Sequence, residues 1–316
     1  MSNFNPATDI PDLSSKVCLV TGGNSGLGEA AVAALALHNP GKLYLAARSR
    51  TKADEAISRI RASSAAAHSA NIEFLHSDLA SFASVKAAAA CINHEADRLD
   101  VLQLSAGIGM VPLDTTEDGY EIQFGTNYLG HVLLTQLLMQ KLLSTAAHPD
   151  SDVRIVSLSS VTHKSMAPKA GILFDGLKTD MKEHGGTELY AQSKLAMALF
   201  AYELAKRYPT VTSVSLHPGA VKTSAWGGEK NVNWVLFNLV LKPLVALRGV
   251  TPEEGVETQL WCSFNKYVKS GTYYEKGGVA GKEGALAHDD QLSEKLWKWT
   301  EKELEAHGAP GWESSK

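Results

Sequence analysis

Short apolar runs rich in β-branched residues alternate with longer segments of helical pattern along this chain. The apolar runs predict strands at 17–21, 42–47, 71–76, 101–104, 154–158, 211–216 and 271–274. The longer segments predict helices at 26–38, 52–63, 81–95, 118–143, 189–208 and 252–264. Strands separated by helices in this way form parallel sheets that are covered on both faces. The pattern therefore predicts an α/β protein with a single-domain, doubly wound fold, a seven-stranded, mostly parallel sheet and helices on both faces.

The composition agrees with a globular α/β fold, and the net charge argues against nucleic acid as a binding partner. Hydrophobic residues make up 44% and charged residues 20% of the 316-residue chain, as in an ordinary globular protein with a sizeable core. The net charge of −4 gives no electrostatic reason to expect nucleic acid. Residues 1–16 are polar, so we expect neither a secretory signal nor an N-terminal anchor, and no transmembrane segment. Residues 63–70 are Ser- and Ala-rich and are expected to form a solvated loop.

The three cysteines, Cys18, Cys91 and Cys262, are widely spaced. None of the histidines pairs with Cys, Asp or Glu at the spacing of a metal site, so no metal is expected and the histidines are assigned to packing or to the surface. Isolated thiols indicate a reducing compartment, which makes the cytoplasm the expected location.

A glycine-rich turn follows the first predicted strand and opens the first predicted helix. The segment from Thr21 to Gly28 reads T-G-x-x-x-G-x-G, which differs from the G-x-G-x-x-G dinucleotide fingerprint. Glycines let the backbone approach an anion closely, and a helix N-terminus offers N–H groups to bind it. The turn is therefore interpreted as a phosphate-binding turn, although a plain strand-to-helix turn is the open alternative.

A tyrosine and a lysine lie one helical turn apart in the second half of the chain, in the segment Tyr190-Ala-Gln-Ser-Lys194. An ammonium at this distance stabilises a phenolate, so Lys194 is expected to lower the pKa of Tyr190 and allow it to exchange a proton near neutral pH. Together with the glycine-rich turn, the pair predicts hydride transfer coupled to proton transfer. Alone, Tyr190 would be read as a half-buried helix tyrosine.

The end of the second predicted strand bears on which dinucleotide binds. NAD sites usually carry an acidic residue about 20 residues beyond the turn, whereas NADP sites carry an arginine there. This chain has Arg48 at that place and no acidic residue before Asp54, and Lys52 follows one turn later. The sequence therefore favours NADP(H), with a solvated basic loop as the alternative.

Further motifs follow in a fixed order: Asp78-Leu79 after the third strand, Asn127-Tyr-Leu-Gly-His131, Ser159-Ser160 after the strand 154–158, and Pro218 to Thr223. With the glycine turn and the Tyr–Lys pair, they resemble the short-chain dehydrogenase/reductase family in its classical form. The resemblance is strongest to retinol-dehydrogenase-like and WW-domain-oxidoreductase-like members and covers nearly the whole length. It implies a Rossmann fold and the chemistry of that family.

The resemblance also assigns roles to individual residues. It implies that Tyr190 is the proton donor or acceptor, that Ser160 holds the substrate oxygen, and that Asn127 positions a water linked to Lys194. Its cofactor contacts map onto Gly22, Asn24, Ser25, Gly26, Leu27, Gly28, Arg48, Lys52, Asp78, Leu79, Ser105, Ala106, Gly107, Tyr190, Lys194, Pro218, Gly219, Val221 and Thr223.

One segment departs from the family pattern. Where the family usually carries Asn-Asn-Ala-Gly after its fourth strand, this chain reads Leu104-Ser105-Ala106-Gly107. Ser105 lacks the amide, so its support of the central sheet is in doubt, while Ala106 and Gly107 are still small enough for a cofactor to pass.

The resemblance implies one domain over residues 1–316, with a cofactor half at about 14–150, a catalytic and substrate half at about 151–285 and a C-terminal helical tail at about 286–316. The tail carries Trp297 and Trp299, which are expected to cover the core.

An apolar segment at 232–247 presents Trp234, Phe237 and Leu241. It is interpreted as a lid over a small lipophilic carbonyl or alcohol, such as a polyketide, terpenoid, steroid or retinoid-like molecule. A core helix or a membrane-surface contact is the open alternative. A homo-oligomer remains possible.

Two other function classes compete with the enzyme. A non-catalytic dinucleotide sensor would need the glycine turn and Arg48 but not Tyr190, Lys194 and Ser160. An extended-family epimerase or dehydratase would normally show T-G-x-x-G-x-x-G, which this turn does not match.

Overall fold

The computed structural model describes residues 4–219 and 250–313. An eight-stranded sheet forms its centre, in the order β3-β2-β1-β4-β5-β6-β7-β8. The strands are β1 Val17–Thr21, β2 Lys42–Ala47, β3 Ile72–His76, β4 Val101–Leu104, β5 Arg154–Leu158, β6 Thr212–Leu216, β7 Tyr273–Glu275 and β8 Val279–Ala280. Strands β1 to β7 pair in parallel, and β8 pairs antiparallel with β7. The predicted doubly wound, mostly parallel fold is confirmed.

The eighth strand corrects the predicted count of seven. Val279–Ala280 follows a turn at Gly277 and Gly278, whose φ angles are 81° and 74°. Both strand residues are exposed, so no buried alternation marks them in the sequence.

The helices that follow the strands lie close to their predicted places. They are α1 Pro6–Asp9, α2 Gly26–Ala36, α3 Arg50–Ala62, α4 Ala65–Ser69, α5 Phe82–Glu95, α6 Ile122–Phe124, α7 Gly130–Ala146, α8 Gly186–Arg207, α9 Pro252–Phe264 and α10 Asp290–Ala306.

Two helical predictions need correction. The predicted loop at 63–70 contains α4, which Ser64 caps by accepting a hydrogen bond from the Ala67 N–H, and Ala67 is fully buried. The predicted helix 118–143 begins only at Ile122, where the Glu121 carboxylate accepts the first N–H groups. It then passes through a π-helical turn, Gly125–Leu129, before α7. Side-chain capping and helix winding of this kind are not visible in the hydrophobic pattern.

The core lies in two layers, one on each face of the sheet. Successive residues of β1 show the division, because Cys18 and Val20 pack with α2, α3 and α9, whereas Leu19 packs with α5, α7 and α8. Along a strand, side chains alternate between the faces, so an all-apolar strand can serve both layers. The C-terminal helix α10 closes the second layer. Its Trp297 is 5% exposed, and Trp299 packs half-buried against the same core layer, as predicted.

The strand order reverses at one point, which fixes where a ligand can bind. From β1 the chain runs outward to β2 and β3, then returns to place β4 on the other side of β1. In open α/β sheets the crevice at the carboxyl ends of such neighbouring strands binds the ligand. In the described ranges 4–219 and 250–313, no helix is long and apolar enough to cross a membrane.

Candidate active site

The glycine-rich turn lies at the carboxyl end of β1 and has the backbone geometry that its glycines allow. Gly22 and Gly26 have φ angles of 67° and 54°, which disfavour other residues. A Cβ at Gly28 would lie 2.2 Å from the carbonyl oxygen of Gly22, so the helix can approach the turn only because this residue has none. Ser25, the N-cap of α2, makes no side-chain capping hydrogen bond. The turn is therefore a concave cradle of backbone at a helix N-terminus, which suits an anionic phosphate.

A cavity of about 430 Å³ opens in front of this turn. Every cofactor residue that the sequence predicts between Gly22 and Gly107 lines it. Its wall runs from the glycine turn past the ends of β2, β3 and β4, which is the elongated shape that a dinucleotide needs. The residues present therefore fit a dinucleotide.

Arg48 and Asp78 face each other at one end of this cavity. The Arg48 Nη1 lies 3.8 Å from the Asp78 Oδ2, and the Arg48 side chain is 76% exposed. An exposed pair at this distance contributes little to stability, so the guanidinium is available to a ligand. Lys52 lines the same end, one turn into α3.

Ser105 is supported by a buried network that the sequence did not predict. The Gln259 Nε2 on α9 donates to the Ser105 Oγ at 2.9 Å and to the Gln103 Oε1 at 2.6 Å. The Gln103 Nε2 in turn donates to Ser263 at 2.8 Å. Gln103 and Gln259 are fully buried. The amide that the family pattern places after β4 is thus supplied to this strand end from another helix.

The Asn127 side chain holds the loop after β4. Its Oδ1 accepts from the Ile108 N–H and its Nδ2 donates to the Ile108 carbonyl, both at 2.8 Å. The same Nδ2 donates to the Ser193 Oγ at 2.9 Å, one residue before Lys194. The amide therefore joins the loop to α8, and the role of Asn127 in positioning a water stays a prediction.

The structure brings the four predicted catalytic residues together. The Tyr190 phenol shares a side-chain hydrogen bond with Ser160, which follows β5. The Lys194 Nζ donates to the Leu158 carbonyl at 3.0 Å and lies 5.7 Å from the centre of the Tyr190 ring. A Cβ on Gly107 would lie 3.2 Å from the Lys194 Nζ and 3.3 Å from the Asn127 Oδ1. The cavity wall at Gly107 therefore borders the catalytic group.

The pKa values correct one expectation. Burial raises the pKa of Tyr190 to about 12, and the hydrogen bond with Ser160 only partly opposes this. Burial also lowers the pKa of Lys194 to about 8. For the protein's own groups this contradicts the prediction that Lys194 brings the phenol below its ordinary pKa, because desolvation dominates and only the Ser160 hydrogen bond opposes it.

The predicted closing segment is only partly described. Pro218 and Gly219 follow β6, with Gly219 at a φ of 95°, and neither lines the described cavity. Val221 and Thr223 lie outside the described residues, as does the apolar segment 232–247.

Thr21, the first residue of the predicted turn, also lines the cavity. Several other cavity residues were not assigned from the sequence, namely Ala46, Ala47, Ser49, Ser77, Ile108, Val111 and Thr126. Most of them follow or end a strand, so their position at the carboxyl edge was the signal available. Within the described part of the chain, no group of three or more His, Cys, Asp or Glu residues is placed to hold a metal ion.

Comparison with known proteins agrees with the fold and identifies the family. The family model described as short chain dehydrogenase matches residues 16–172. A short-chain dehydrogenase/reductase of Armillaria gallica is 35% identical over 298 residues, which cover 93% of this chain and 91% of that protein. Human retinol dehydrogenase 13 is 35% identical over 288 residues, covering 89% and 82%. The crystal structure of NADPH-bound carbonyl reductase from chicken fatty liver superposes with a TM-score of 0.61 at 24% identity, covering 86% and 99%.

The fold defines a Rossmann-type α/β protein. The relatives of similar length define its family more closely: the chain belongs to the short-chain dehydrogenase/reductase family of oxidoreductases.

Proposed function

We propose that this protein is an NADP(H)-dependent oxidoreductase that interconverts a ketone or aldehyde with an alcohol on a small lipophilic molecule. The observation that carries the proposal is the continuity of the site. Gly107 lines the cavity in front of the glycine turn, and a Cβ on this residue would lie 3.2 Å from the Lys194 Nζ and 3.3 Å from the Asn127 Oδ1. Tyr190, hydrogen-bonded to Ser160, stands next to them.

Tyr190 is the proton donor in reduction. With a pKa raised to about 12, its phenol is protonated throughout the neutral range, which is the form that a general acid requires. Ser160 is the second donor for the substrate oxygen, because its hydroxyl already meets the phenol oxygen. The chemistry that the cofactor supplies when bound is hydride transfer.

Lys194 is held in place beside Tyr190 by two hydrogen bonds. Its ammonium is anchored to the Leu158 carbonyl, and its own backbone carbonyl accepts from Ser159 at 2.7 Å. These contacts hold the lysine, which lies on α8, against the end of β5, where its charge stabilises a developing phenolate and its position suits a contact with the cofactor.

The raised pKa of Tyr190 predicts different pH dependences for reduction and oxidation. Reduction uses the protonated phenol, whereas oxidation needs the phenolate, which is scarce far below pH 12. A panel of aldehydes and ketones with NADPH, followed by loss of NADPH absorbance, tests the activity. We expect turnover of at least one apolar carbonyl. If no member of the panel is turned over, the non-catalytic dinucleotide sensor becomes the better interpretation of the site.

NADP(H) is proposed over NAD(H) because Arg48 and Lys52 border the cavity and the exposed guanidinium is free to pair with a 2′-phosphate. Arg48→Ala should weaken NADPH binding by about 1–3 kcal/mol and leave NADH binding nearly unchanged. The matched control is Arg50→Ala, since the Arg50 guanidinium is held by Asp54 and lies over the Phe74 ring, outside this cavity. Equal losses for both dinucleotides in Arg48→Ala would show that the arginine supports the loop instead.

A lipophilic substrate is proposed because apolar side chains border the catalytic group. Val161 directly follows Ser160, and its side chain is 41% exposed. Ile108 and Val111 line the neighbouring cavity wall. The carbonyl panel should therefore show lower KM values for bulky apolar members than for small polar ones.

The three free cysteines support a reducing compartment, and we propose the cytoplasm as the location.

A further inference from the structure

A buried hydrogen-bonded connection links Thr21 to His131 and Asn127, which are 110 and 106 positions further along the chain, beside the cofactor cavity. The His131 Nε2 lies 2.9 Å from the Thr21 Oγ1, and the His131 Nδ1 lies 2.8 Å from the Asn127 carbonyl oxygen. Exposure is 1% for Thr21 and 0% for the other two. The connection joins the glycine-rich turn to the helix that carries Asn127, and neither the sequence pattern nor the proposed reaction assigns His131 a role.

The partners fix the tautomer of His131. A carbonyl oxygen only accepts hydrogen bonds, so the Nδ1 must carry the proton that is donated to Asn127. Burial lowers the pKa of His131 to about 3, so the ring is neutral and its Nε2 is bare. The Nε2 therefore accepts a hydrogen bond from the Thr21 hydroxyl.

This donation orients the Thr21 hydroxyl. With its single proton directed at His131, the oxygen has its lone pairs available for the N–H groups of Ser105 and Ala106, which donate to it at 2.9 and 3.1 Å. Without His131, the hydroxyl has another acceptor in the Gln103 carbonyl at 3.3 Å. Turning toward that carbonyl would redirect the lone pairs away from the two N–H groups.

The other end of the connection acts on the same loop. The Asn127 backbone lies in the π-helical turn Gly125–Leu129, and its side-chain amide holds both backbone groups of Ile108. Residues 105–108 are thus held through Thr21 on one side and through Asn127 on the other. All four line the cofactor cavity.

We propose that His131 is a positioning residue, which couples Thr21 to Asn127 and so holds residues 105–108 in the position that dinucleotide binding requires. The effect on dinucleotide binding rests on the proposed function. The coupling of Thr21 to Asn127 does not, because it is a property of the protein without cofactor.

The coupling is tested first without any cofactor. Long-range ¹H–¹⁵N spectra of histidine-labelled protein should show one neutral histidine in the Nδ1–H form that does not titrate in the neutral range and is lost in His131→Leu. Hydrogen exchange of the peptide containing residues 105–108 should speed up by a similar factor in His131→Leu, in Thr21→Val and in the double variant. An Nε2–H tautomer of His131 would overturn the coupling. So would a double variant in which the two increases in exchange rate multiply.

The effect on dinucleotide binding is tested by NADPH titration followed by fluorescence. His131→Leu and Thr21→Val should each raise the Kd roughly tenfold, the equivalent of about one buried hydrogen bond, and the double variant should be no weaker than the weaker single variant. His131→Gln, which keeps one donor and one acceptor, should recover most of the affinity.

The matched control is Thr300→Val. Thr300 lies on α10, and its hydroxyl forms a hydrogen bond of 2.8 Å with the Tyr128 hydroxyl in an equally buried site. It should lower thermal stability and leave the Kd unchanged. An unchanged Kd in His131→Leu would overturn the effect on dinucleotide binding. Failure of the wild-type protein to bind NADPH or NADH would instead overturn the proposed function, and the exchange data would still decide the coupling.

Discussion

Lys194→Met should change how the stability of this protein depends on pH, because the wild-type protein keeps an ammonium group fully buried. Lys194 is 5% exposed and donates a hydrogen bond to the Leu158 carbonyl. Methionine has a similar length and no charge, so it can occupy the same space without the desolvation that lowers the lysine pKa.

The size of the effect follows from the pKa of Lys194. Lowering from 10.5 to about 8 corresponds to about 3 kcal/mol in the free energy of unfolding. Between these values the unfolded chain binds more protons than the folded protein, so the wild type gains stability as the pH rises. Below about pH 8 the full penalty is present, and above about pH 10.5 it has disappeared. The methionine variant lacks this gain.

Urea unfolding at a series of pH values measures the difference. The free energy of unfolding of Lys194→Met, minus that of wild type, should fall by about 3 kcal/mol between pH 7 and pH 10.5. The lost hydrogen bond to Leu158 shifts the variant by a similar amount at every pH, so it does not affect this slope. The control is Lys298→Met, at a lysine whose side chain is 70% exposed, and its pH dependence should match that of wild type. A constant difference between Lys194→Met and wild type would show that the ammonium is hydrated and that the argument from burial fails.

Three further predictions concern the same site. Gly28→Ala should abolish tight NADPH binding, because its Cβ would meet a backbone oxygen at 2.2 Å, whereas Gly185→Ala, with open space around it, should bind normally; equal binding by both variants would contradict this geometry. Gln259→Leu should reduce the free energy of unfolding by about 1–3 kcal/mol in urea titrations, because it leaves the Ser105 and Gln103 side chains without a donor, and a loss below about 0.5 kcal/mol would show that water replaces it. The ultraviolet difference between wild type and Tyr190→Phe without cofactor should show no phenolate below about pH 10, since burial raises the pKa of Tyr190, and ionisation near pH 8 would refute this assignment.

The parallel sheet could be predicted because its strands are buried on both faces and read as short apolar runs. The two-residue strand Val279–Ala280 could not, because both residues are exposed and only backbone pairing with β7 defines it. For the same reason the helix α4 was read as a loop, since its Ser64 cap and single buried alanine carry no apolar period.

The candidate site divides along a similar line. Residues that follow strands at the carboxyl edge, such as Gly22, Arg48 and Ser160, were placed by their order in the chain. The support of Ser105 by Gln259 was not, because the two residues are 154 positions apart and only the packing of α9 on β4 joins them. The pKa of Tyr190 was also misjudged, since a sequence shows the lysine one turn away but not the burial that dominates.

The most direct test of the account is NADPH-dependent reduction of an apolar aldehyde by wild type and by Tyr190→Phe. The substitution removes one oxygen and little volume, so NADPH binding should persist while turnover falls by roughly 10²–10⁴. Near-wild-type turnover by Tyr190→Phe, on any carbonyl that the wild type reduces, would contradict the assignment of Tyr190 as the proton donor.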